Sequence, residues 1–563
     1  MLSLHYLVLP CSFLRYHNFG RRTNYLSASI AKSTKVQLVF YVLLGLYLIQ
    51  AISAVAFGIN AWDEETDLLG IRSHIAHAAS LLTGRESDYR SIHSNLEYYG
   101  TIGFAPAWIF WFLARFVSAR LSLEQALYNP AADHQLTSYY QISHVFIVIS
   151  FLLLVFLVIK TAGELRHPYP HLAGCIILLM PSLVGHSFVN AKDITFCTLY
   201  TAYTLCTILR LKRGTTSKLY LVSILIGGLL VNSKFVFLLP LVLTELAYTI
   251  IARKNLALMA IFYASIRSFL SLLIALAIQP ASWLVNPYVY LHEAFLTFST
   301  HQWGGCMSFH GSCVGRYDPG WSTLFYISRW MSAKIPLLVI FLLCVTLLFL
   351  VIRTFRSKSF PLPVVYLPVL AQLLIIPVLS VFGNSNLYDT DRHLLFIYPP
   401  LVILSLECTR YLCHGLIRKS VYLVAIFLSI ILLADNLLIT PYGTAYFNEP
   451  SRFFLNHENT ATDYWATSAK EAINKAQLNG SLPVNPVLST GLWISPLWIS
   501  FRQLAGQMNA SLDYELQLRV RNPSEFSRDD LNCRHLSTVS RNLLFISKPL
   551  VLSRLELCKK LSG

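Results

Sequence analysis

The feature that most limits what this chain can fold into is a series of long apolar runs that contain almost no charge. Residues 36–57, 145–159 and 337–352 are three examples. A helix that crosses a bilayer needs about 20 apolar residues, so such runs are typical of membrane spans. Composition agrees, because charged residues make up only 13% of the chain, against about 25% in soluble domains. The sequence therefore predicts an all-α polytopic membrane protein.

Eleven spans are predicted from these runs. They cover residues 37–57, 138–159, 170–189, 194–210, 219–232, 235–251, 259–279, 334–352, 362–382, 393–411 and 420–438. Two points leave alternatives open. The stretch VNSKF at 231–235 is either a kink in one long element or a loop between two short spans, and Arg267 allows the seventh span to start later.

The distribution of lysine and arginine predicts which side each loop faces. Nineteen of these residues lie in the N-terminus and in the short loops predicted on its side. The opposite short loops carry only Lys192, Lys234 and Arg392. Basic residues collect in cytoplasmic loops, so these opposite loops are predicted to face outward. The same count favours 101–119 as an amphipathic or re-entrant segment, because a span there would invert every later loop.

This topology divides the chain into three parts. Residues 1–36 form a basic cytoplasmic N-terminus, 37–438 the transmembrane domain and 439–563 an outer C-terminal domain. The transmembrane domain has two large outer loops, 58–137 and 280–333, and the first is predicted to contain interfacial helices. The C-terminal part has strand-like runs such as NLLFIS and turn signals such as NGSLPVNP, which predict a small α/β domain.

Charge and cysteine content narrow the function classes. The net charge of +16 does not indicate a nucleic-acid partner, because a multi-span protein gathers basic residues in its cytoplasmic loops. Eleven cysteines are scattered without metal-site spacing. Cys306 and Cys313 share one loop and are able to pair if that loop faces an oxidising compartment.

An acidic stretch, NAWDEETDLLG at 60–70, directly follows the first span. Its spacing predicts a helix over 63–83 that places Asp63, Asp67, His74 and His77 on one face. One interpretation is a solvated face on an interfacial helix. The other is a functional site, which is favoured because other ionisable residues lie at the outer ends of spans, where charge is costly.

These other residues carry both signs of charge and lie on the predicted outer side. They are His186, Asn190, Lys192 and Asp193 in GHSFVNAKDITF, Lys234 in VNSKF, and Asp389, Asp391, Arg392 and His393 in NLYDTDRHLLF. Cations bind phosphate and a carboxylate accepts a proton. Such a layout suits an enzyme that holds a phosphorylated lipid headgroup while a carboxylate acts on a second substrate.

Four stretches, in order along the chain, resemble motifs of the GT-C glycosyltransferases, which use polyprenyl-phosphate sugars. The branch is that of the protein O-mannosyltransferases and lipid A aminoarabinose transferases. WDEE resembles the aromatic-Asp-Glu motif of the first outer loop, and GHSFVNAKDITF is similar to a GHSFFNPKDIPF pattern. YDTDRHLLFIYPP resembles a YDGxRHxLFxxPP motif. PYGTAYFNE with TDYWATSAKEA resembles the opening of the bacterial members' outer tail, where DYWGxS is usual.

This resemblance implies a role for individual positions. Asp63 matches the catalytic aspartate, and Glu64 is its acidic neighbour. The candidates for binding the donor phosphate are Lys192, Lys234, Arg392 and His393. Asp193 matches an acidic residue of a later outer loop. Together with Asp67 and His74, which helical spacing adds, it is a candidate for orienting the acceptor or binding a metal.

The resemblance implies an inverting glycosyltransferase that moves a sugar from a polyprenyl-phosphate donor to an acceptor on the outer or lumenal side. Its partners would be that donor, a glycan, lipid or protein acceptor, and membrane lipid, with no nucleic acid. No cofactor is predicted, and the need for a divalent metal stays open. The expected location is the bacterial inner (plasma) membrane, or the endoplasmic reticulum in a eukaryotic host.

Two other functions fit part of the pattern. A multi-span transporter with no transferase activity would also carry charge at membrane depth, but transporters tend to contain internal repeats, and this sequence shows none. A non-catalytic scaffold or receptor with an outer domain would make the acidic motif incidental. The sequence identifies neither the sugar, the acceptor nor the donor lipid.

Overall fold

Helices dominate the structure, and the C-terminal part adds a small sheet. The computed structural model describes residues 22–64, 67, 70–71, 74, 84, 100–119, 136–214, 216–252, 257–279, 286–300, 307–314, 321–357, 362–383, 385, 387–411, 416–482, 487–488, 514–520, 533–545 and 548–559.

The helices follow one another with short connections through most of the chain. In order they are α1 (Arg22–Phe57), α2 (Ala105–Ala119), α3 (Leu136–Glu164), α4 (Pro170–Leu179), α5 (Pro181–Val189), α6 (Ala191–Arg213), α7 (Ser217–Ser233), α8 (Leu238–Ala252), α9 (Ala257–Ile278), α10 (Pro287–Thr300), α11 (Trp321–Lys334), α12 (Leu337–Ser357), α13 (Leu367–Phe382), α14 (Tyr398–Ser405), α15 (Cys408–Tyr411), α16 (Leu416–Ile439) and α17 (Ala469–Leu478). Short 3-10 helices lie at Phe235–Phe237, Val364–Tyr366, Arg392–Ile397, Gly443–Ala445 and Ser451–Phe453.

Seven helices among the described residues are long and apolar enough to cross a membrane. They are α1, α3, α6, α9, α12, α13 and α16, and each overlaps a predicted span. The predicted span 170–189 is a pair of helices, α4 and α5, bent by 71°. Pro181 begins the second of them, and because the proline ring clashes with a helical residue before it, Met180 is extended. The predicted class, a mostly helical multi-pass membrane protein, is confirmed.

The stretch VNSKF contains a break between two short helices, because its first three residues end α7 and Phe235 begins a 3-10 turn. Lys234 is extended, with φ −149° and ψ 109°, and separates α7 from the 3-10 turn that precedes α8. Both helices pack on α9, because Ser271 donates to the carbonyl of Ile224 in α7 and Arg267 lies 2.7 Å from Glu245 in α8. That ion pair also explains how Arg267 is accommodated inside an apolar helix, so the seventh span does not need to start after it.

The predicted span at 393–411 is not a single helix. A 3-10 helix, Arg392–Ile397, is followed by the short helices α14 and α15. Pro399 and Pro400 stand in the first turn of α14, and neither has an N–H for a bond to the preceding turn. The backbone before them forms a separate 3-10 helix, which begins at Arg392.

The segment predicted to lie in the interface, 101–119, contains helix α2. Its 15 residues are fewer than the roughly 20 that a span needs. The Trp111 ring packs edge-on against Tyr139 at 5.9 Å, and Phe110 against Phe146 at 6.2 Å. Helix α2 therefore packs against the beginning of α3.

The C-terminal part is the predicted small α/β unit. Strands β3 (Val487–Leu488), β4 (Tyr514–Arg519), β5 (Cys533–Arg541) and β6 (Leu550–Lys559) form a sheet in the order β3-β4-β6-β5. All neighbours are antiparallel except β3 and β4, and α17 packs on β5 and β6. A disulfide joins Cys533 and Cys558 across β5 and β6. The predicted Cys306–Cys313 pair lies outside the described side chains.

A hairpin from the second large loop joins this C-terminal part to the helical bundle. Strands β1 (Met307–Phe309) and β2 (Ser312–Val314) pair with each other. The backbone of Gly311 donates to the carbonyl of Asn459, and Ala461 donates to that of Ser308. The backbone N–H of Trp62, beside the acidic stretch after α1, donates to the Trp465 carbonyl, so the C-terminal part also contacts that stretch.

Candidate active site

Two carboxylates and two cations from three separate parts of the chain meet in one cluster. Asp63 and Asp67 stand one turn apart on the helical residues after α1, Lys192 is in the first turn of α6, and Arg392 begins a 3-10 helix. Lys192 Nζ lies 2.5 Å from Asp67 Oδ1 and 3.5 Å from Asp63 Oδ2. Arg392 contacts Asp63 directly and also lies 3.2 Å from Asp389. We call Asp63, Asp67, Lys192 and Arg392 the charge cluster.

The surroundings shift the pKa values of the two aspartates in the charge cluster in opposite directions. Burial would raise the pKa of Asp63, but attraction to Arg392 and Lys192 outweighs burial and lowers that pKa to about 2. Burial raises the pKa of Asp67 to about 7, although Lys192 opposes the rise. Asp63 is therefore ionised at neutral pH, whereas Asp67 changes charge near it.

A second ion pair stands beside the cluster and is held by a chain of hydrogen bonds. Lys234 contacts Asp193, which is also in the first turn of α6. The Asn190 side chain accepts from the Asp193 backbone N–H at 3.0 Å and donates to the Asp193 carboxylate at 2.9 Å. Asn190 Nδ2 is 3.0 Å from His186 Nδ1. This capping arrangement is typical of a helix N-terminus and explains why Asn precedes this helix.

Glu64 points to a different partner from its neighbour Asp63. One carboxylate oxygen accepts the backbone N–H of Ala61 at 2.7 Å, and the other lies 2.5 Å from His144 Nε2 in α3. Glu64 and His144 are both buried. The structure thus places Glu64 where it fixes the backbone around Asp63, and its predicted catalytic part stays a prediction.

The histidine candidates are distributed around the cluster. His393 Nε2 is 3.3 Å from Arg392 Nε, and its ring packs edge-on to Tyr388 at 4.7 Å. His74 instead lies 3.1 Å from the side-chain amide of Gln279, the residue that directly follows α9. His77 lies outside the described residues.

Asp391 anchors the segment that carries Arg392. It is fully buried and accepts hydrogen bonds from Ser182 at 2.6 Å and from Tyr398 at 2.5 Å. With both oxygens of its carboxylate engaged by hydroxyls, Thr390 included, Asp391 serves to position its neighbour.

Four further residues touch this site and were not predicted from the sequence as members of it. They are His144, Tyr388, Tyr464 and Trp465. His144 stands inside the apolar span 138–159, where a lone ionisable residue is costly, and that position was a signal of function. The aromatic residues carried no such signal, because their contacts depend on the fold of distant segments.

A metal centre has one candidate group of ligands among the described residues. It consists of Cys533, Glu556 and Cys558, in the sheet of the C-terminal part. The two cysteines form a disulfide, so neither sulfur is a thiolate that binds a metal well. The charge cluster is itself neutralised by cations, which leaves its carboxylates poorly suited to a divalent ion.

Comparisons with solved structures find similar chains. The chain is similar to ArnT from Cupriavidus metallidurans in the apo state, with a TM-score of 0.42, 11% identity, and 92% of this chain and 97% of that chain covered. It is also similar to ArnT from Cupriavidus metallidurans bound to undecaprenyl phosphate, with a TM-score of 0.38, 11% identity and the same coverage. No family model and no curated protein matches the chain.

Proposed function

We propose that the protein is an inverting glycosyltransferase that uses a polyprenyl-phosphate sugar as donor. The observation that carries the proposal is the charge cluster, in which an ionised aspartate stands between Arg392 and Lys192 at one end of a membrane bundle. A phosphate needs cations, and an attacking hydroxyl or amine needs a carboxylate, at neighbouring points. The motifs that contribute Asp63, Lys192 and Arg392 are three of the four that resemble the GT-C enzymes.

The proposed reaction is a single displacement. The acceptor's oxygen or nitrogen attacks the anomeric carbon and forms the new glycosidic bond. The bond between that carbon and the phosphate oxygen breaks, and its electron pair leaves with the polyprenyl phosphate. Asp63 takes the proton of the acceptor. A single attack from the opposite face inverts the anomeric centre and needs no covalent sugar–enzyme intermediate, unlike retaining enzymes.

The cations have two successive partners in this mechanism. Without donor, Arg392 and Lys192 hold Asp63 at a low pKa and make it a weak base. A donor phosphate competes for the same cations, since charge-assisted contacts to phosphate are strong. As the phosphate draws them away, Asp63 becomes more basic just where the sugar is bound. The cations then stabilise the charge that develops on the leaving phosphate.

The remaining pairs fit as supports of this centre. Asp193 follows Lys192 in α6, and Lys234, which pairs with Asp193 from the break between α7 and α8, is placed to extend the cationic side toward the donor phosphate. His393 lies beside Arg392 and Asp67 beside Lys192. Their roles in binding the donor or orienting the acceptor belong to the proposal, as does a bacterial inner membrane as its location.

The test is transfer by the purified protein. Membranes and detergent-purified protein are incubated with radiolabelled polyprenyl-phosphate sugars and a mixture of glycan, lipid and peptide acceptors. Transfer of label with release of polyprenyl phosphate supports the proposal. Uptake of donor into sealed vesicles without transfer would instead support a transporter. A copurified lipid phosphate, identified by mass spectrometry, would name the donor lipid.

A further inference from the structure

A loop of the C-terminal part, residues 462–468, has a shape fixed by one buried carboxylate. We call these residues the tail loop. Asp463 accepts from the backbone N–H groups of Thr467 at 3.0 Å and Ser468 at 2.8 Å, and from both of their hydroxyls. Ser468 Oγ lies 2.7 Å from Ser553 Oγ in β6. The tail loop is therefore held by its own hydrogen bonds and tied to the C-terminal sheet.

The tail loop reaches the candidate site at three points. The Trp465 carbonyl accepts the backbone N–H of Trp62 at 3.1 Å. The Arg392 guanidinium lies over the Trp465 indole, 5.3 Å from the ring centre. The Tyr464 hydroxyl is 3.1 Å from His186 Nε2. Both aromatic residues are buried, with 2% or less of their surface exposed.

Each of these contacts leads to a charged group of the site. Trp62 directly precedes Asp63, so the bond to its N–H fixes the backbone that carries the carboxylate. The indole face attracts a guanidinium and limits where Arg392 moves. His186 continues through Asn190 to Asp193, which pairs with Lys234.

The neighbouring helix is shaped to receive this part of the chain. Gly185 packs directly on the backbone of Gly443 and Thr444, so closely that a side chain at position 185 would collide with it. Lys334, which is buried, donates to the Thr444 carbonyl at 2.7 Å. The C-terminal part is thus built against α5, next to His186, and does not merely follow the last span.

From this geometry we infer that Trp465 is a positioning residue for glycosyl transfer, and that the C-terminal part completes the active site through it. The inference rests on the proposed function. Trp465 holds Arg392 in reach of both Asp63 and an incoming phosphate. Tyr388 covers the same guanidinium at 4.9 Å, so the two rings confine it. Without the indole, Arg392 would keep its charge and its partner Asp389 but lose its fixed direction.

The experiment compares three variants in the full-length protein. Trp465→Leu removes the ring and keeps an apolar side chain, and Trp465→Phe keeps a ring. Tyr248→Leu is the control, because the Tyr248 ring lies under Arg210 at 3.9 Å in a separate buried ion cluster. We expect Trp465→Leu to raise the donor KM by about 5- to 30-fold, the range of a desolvated cation–ring contact. Trp465→Phe is expected to stay within about threefold, and the control to lose thermal stability without a change in donor KM.

A double-mutant cycle removes the ambiguity of a variant that folds poorly. Arg392→Lys, Trp465→Leu and the combination are compared as folded protein, and their effects on donor KM are additive only if the two residues act independently. A positioning role predicts non-additive effects, whereas additive effects would overturn the inference. Unchanged donor KM in a folded Trp465→Leu protein would also overturn it, since packing alone would then explain the tryptophan.

A binding measurement separates this inference from the proposed function. Undecaprenyl phosphate, the lipid bound in one of the similar ArnT structures, is added to each variant and the melting temperature is followed. The inference predicts that Trp465→Leu needs about 5- to 30-fold more lipid than the wild type for the same stabilisation. If the wild type transfers no sugar yet shows this difference, the transfer reaction fails while the positioning of Arg392 stands. Equal stabilisation of both proteins refutes the positioning role in either case.

Discussion

The most informative single substitution is Asp63→Asn, because each cation that contacts this carboxylate has a second carboxylate partner in the structure. Lys192 would keep Asp67 at 2.5 Å, and Arg392 would keep Asp389 at 3.2 Å. Neither cation would be stranded. Breaking a buried ion pair costs about 3–5 kcal/mol when the surviving charge has no other partner, so the loss here is expected to be smaller, about 1.5 kcal/mol. The variant should therefore fold and reach the membrane.

The Asp63→Asn protein should lose nearly all of its transfer activity although it loses little stability. Asparagine has nearly the shape of aspartate but takes up no proton at neutral pH. A positioned general base contributes about 10²- to 10⁴-fold in rate, so turnover of about 1% of wild type or less is expected. Affinity for the donor should move in the opposite direction. Asp63 competes with phosphate for Arg392 and Lys192, and its neutralisation frees both cations, so undecaprenyl phosphate should bind at least as tightly as to wild type.

The assay measures both quantities on one preparation. Single-turnover transfer from radiolabelled donor gives the rate, and the shift in melting temperature with undecaprenyl phosphate gives binding. Glu458→Gln is the control, because Glu458 is an exposed carboxylate of the C-terminal part. Wild-type turnover in Asp63→Asn would refute the role of this carboxylate as base. Loss of lipid binding together with activity would refute the competition between Asp63 and phosphate, and would make Asp63 a structural partner of the cations.

Four further substitutions test the surrounding groups. Arg392→Ala should raise the donor KM about ten- to hundredfold, with partial rescue by Arg392→Lys, which lacks the planar fork; an unchanged donor KM would exclude the contact. His144→Ala should lower kcat about tenfold by releasing Glu64, and His144→Gln, which keeps a donor, should restore most of it; equal rates in both variants would contradict this. The folded pKa of Asp67 is raised to about 7, so its contribution to the free energy of unfolding, at most about 4 kcal/mol, is present below about pH 4 and is lost as pH rises to 7. Between pH 5 and 8 the melting temperature of Asp67→Asn should therefore fall less than that of wild type, and parallel curves would argue against a raised pKa. Glu245→Ala should cost about 3–5 kcal/mol by leaving two buried arginines without their anion, while the donor KM of the folded fraction stays the same.

The membrane part was predictable because its signal is local. Apolar runs gave seven spans as helices at the predicted places, and the segment 101–119, whose interfacial position stays a prediction, contains a 15-residue helix. Prolines stand at the points where a predicted span is not one straight helix. Pro181 splits one span into a bent pair, and Pro399 with Pro400 leaves 393–411 in pieces. The positions of these prolines are visible in the sequence, but the direction of each break depends on what packs around it.

The site was predictable in its charged members and not in their pairing. The acidic stretch after the first span predicted Asp63 and Asp67 as members, and charges at the outer ends of other spans predicted Lys192 and Arg392, because charge at membrane depth is costly. The sequence does not say that Lys192 would face both aspartates of the acidic stretch, since that depends on how the first loop lies on α6. Trp465 lies in a resembled motif but is not predicted as a site residue, because Arg392, the residue it covers, is more than 70 positions away.

Two positions at which this chain departs from the resembled motifs share one backbone conformation. Where the resembled patterns usually carry glycine, this chain has Thr390 and Ala466, and both residues keep a positive φ, 61° and 54°. An L residue in this region costs about 1–2 kcal/mol, which a glycine would avoid. The chain retains the turns because their surroundings determine them: the Thr390 carbonyl accepts from Tyr326 at 2.8 Å, and Asp463 holds the tail loop around Ala466. Thr390 and its neighbour Asp389, whose φ is 56°, precede Arg392, and Ala466 follows Trp465. Strained residues therefore stand next to both members of the cation–ring contact on which the inferred positioning depends.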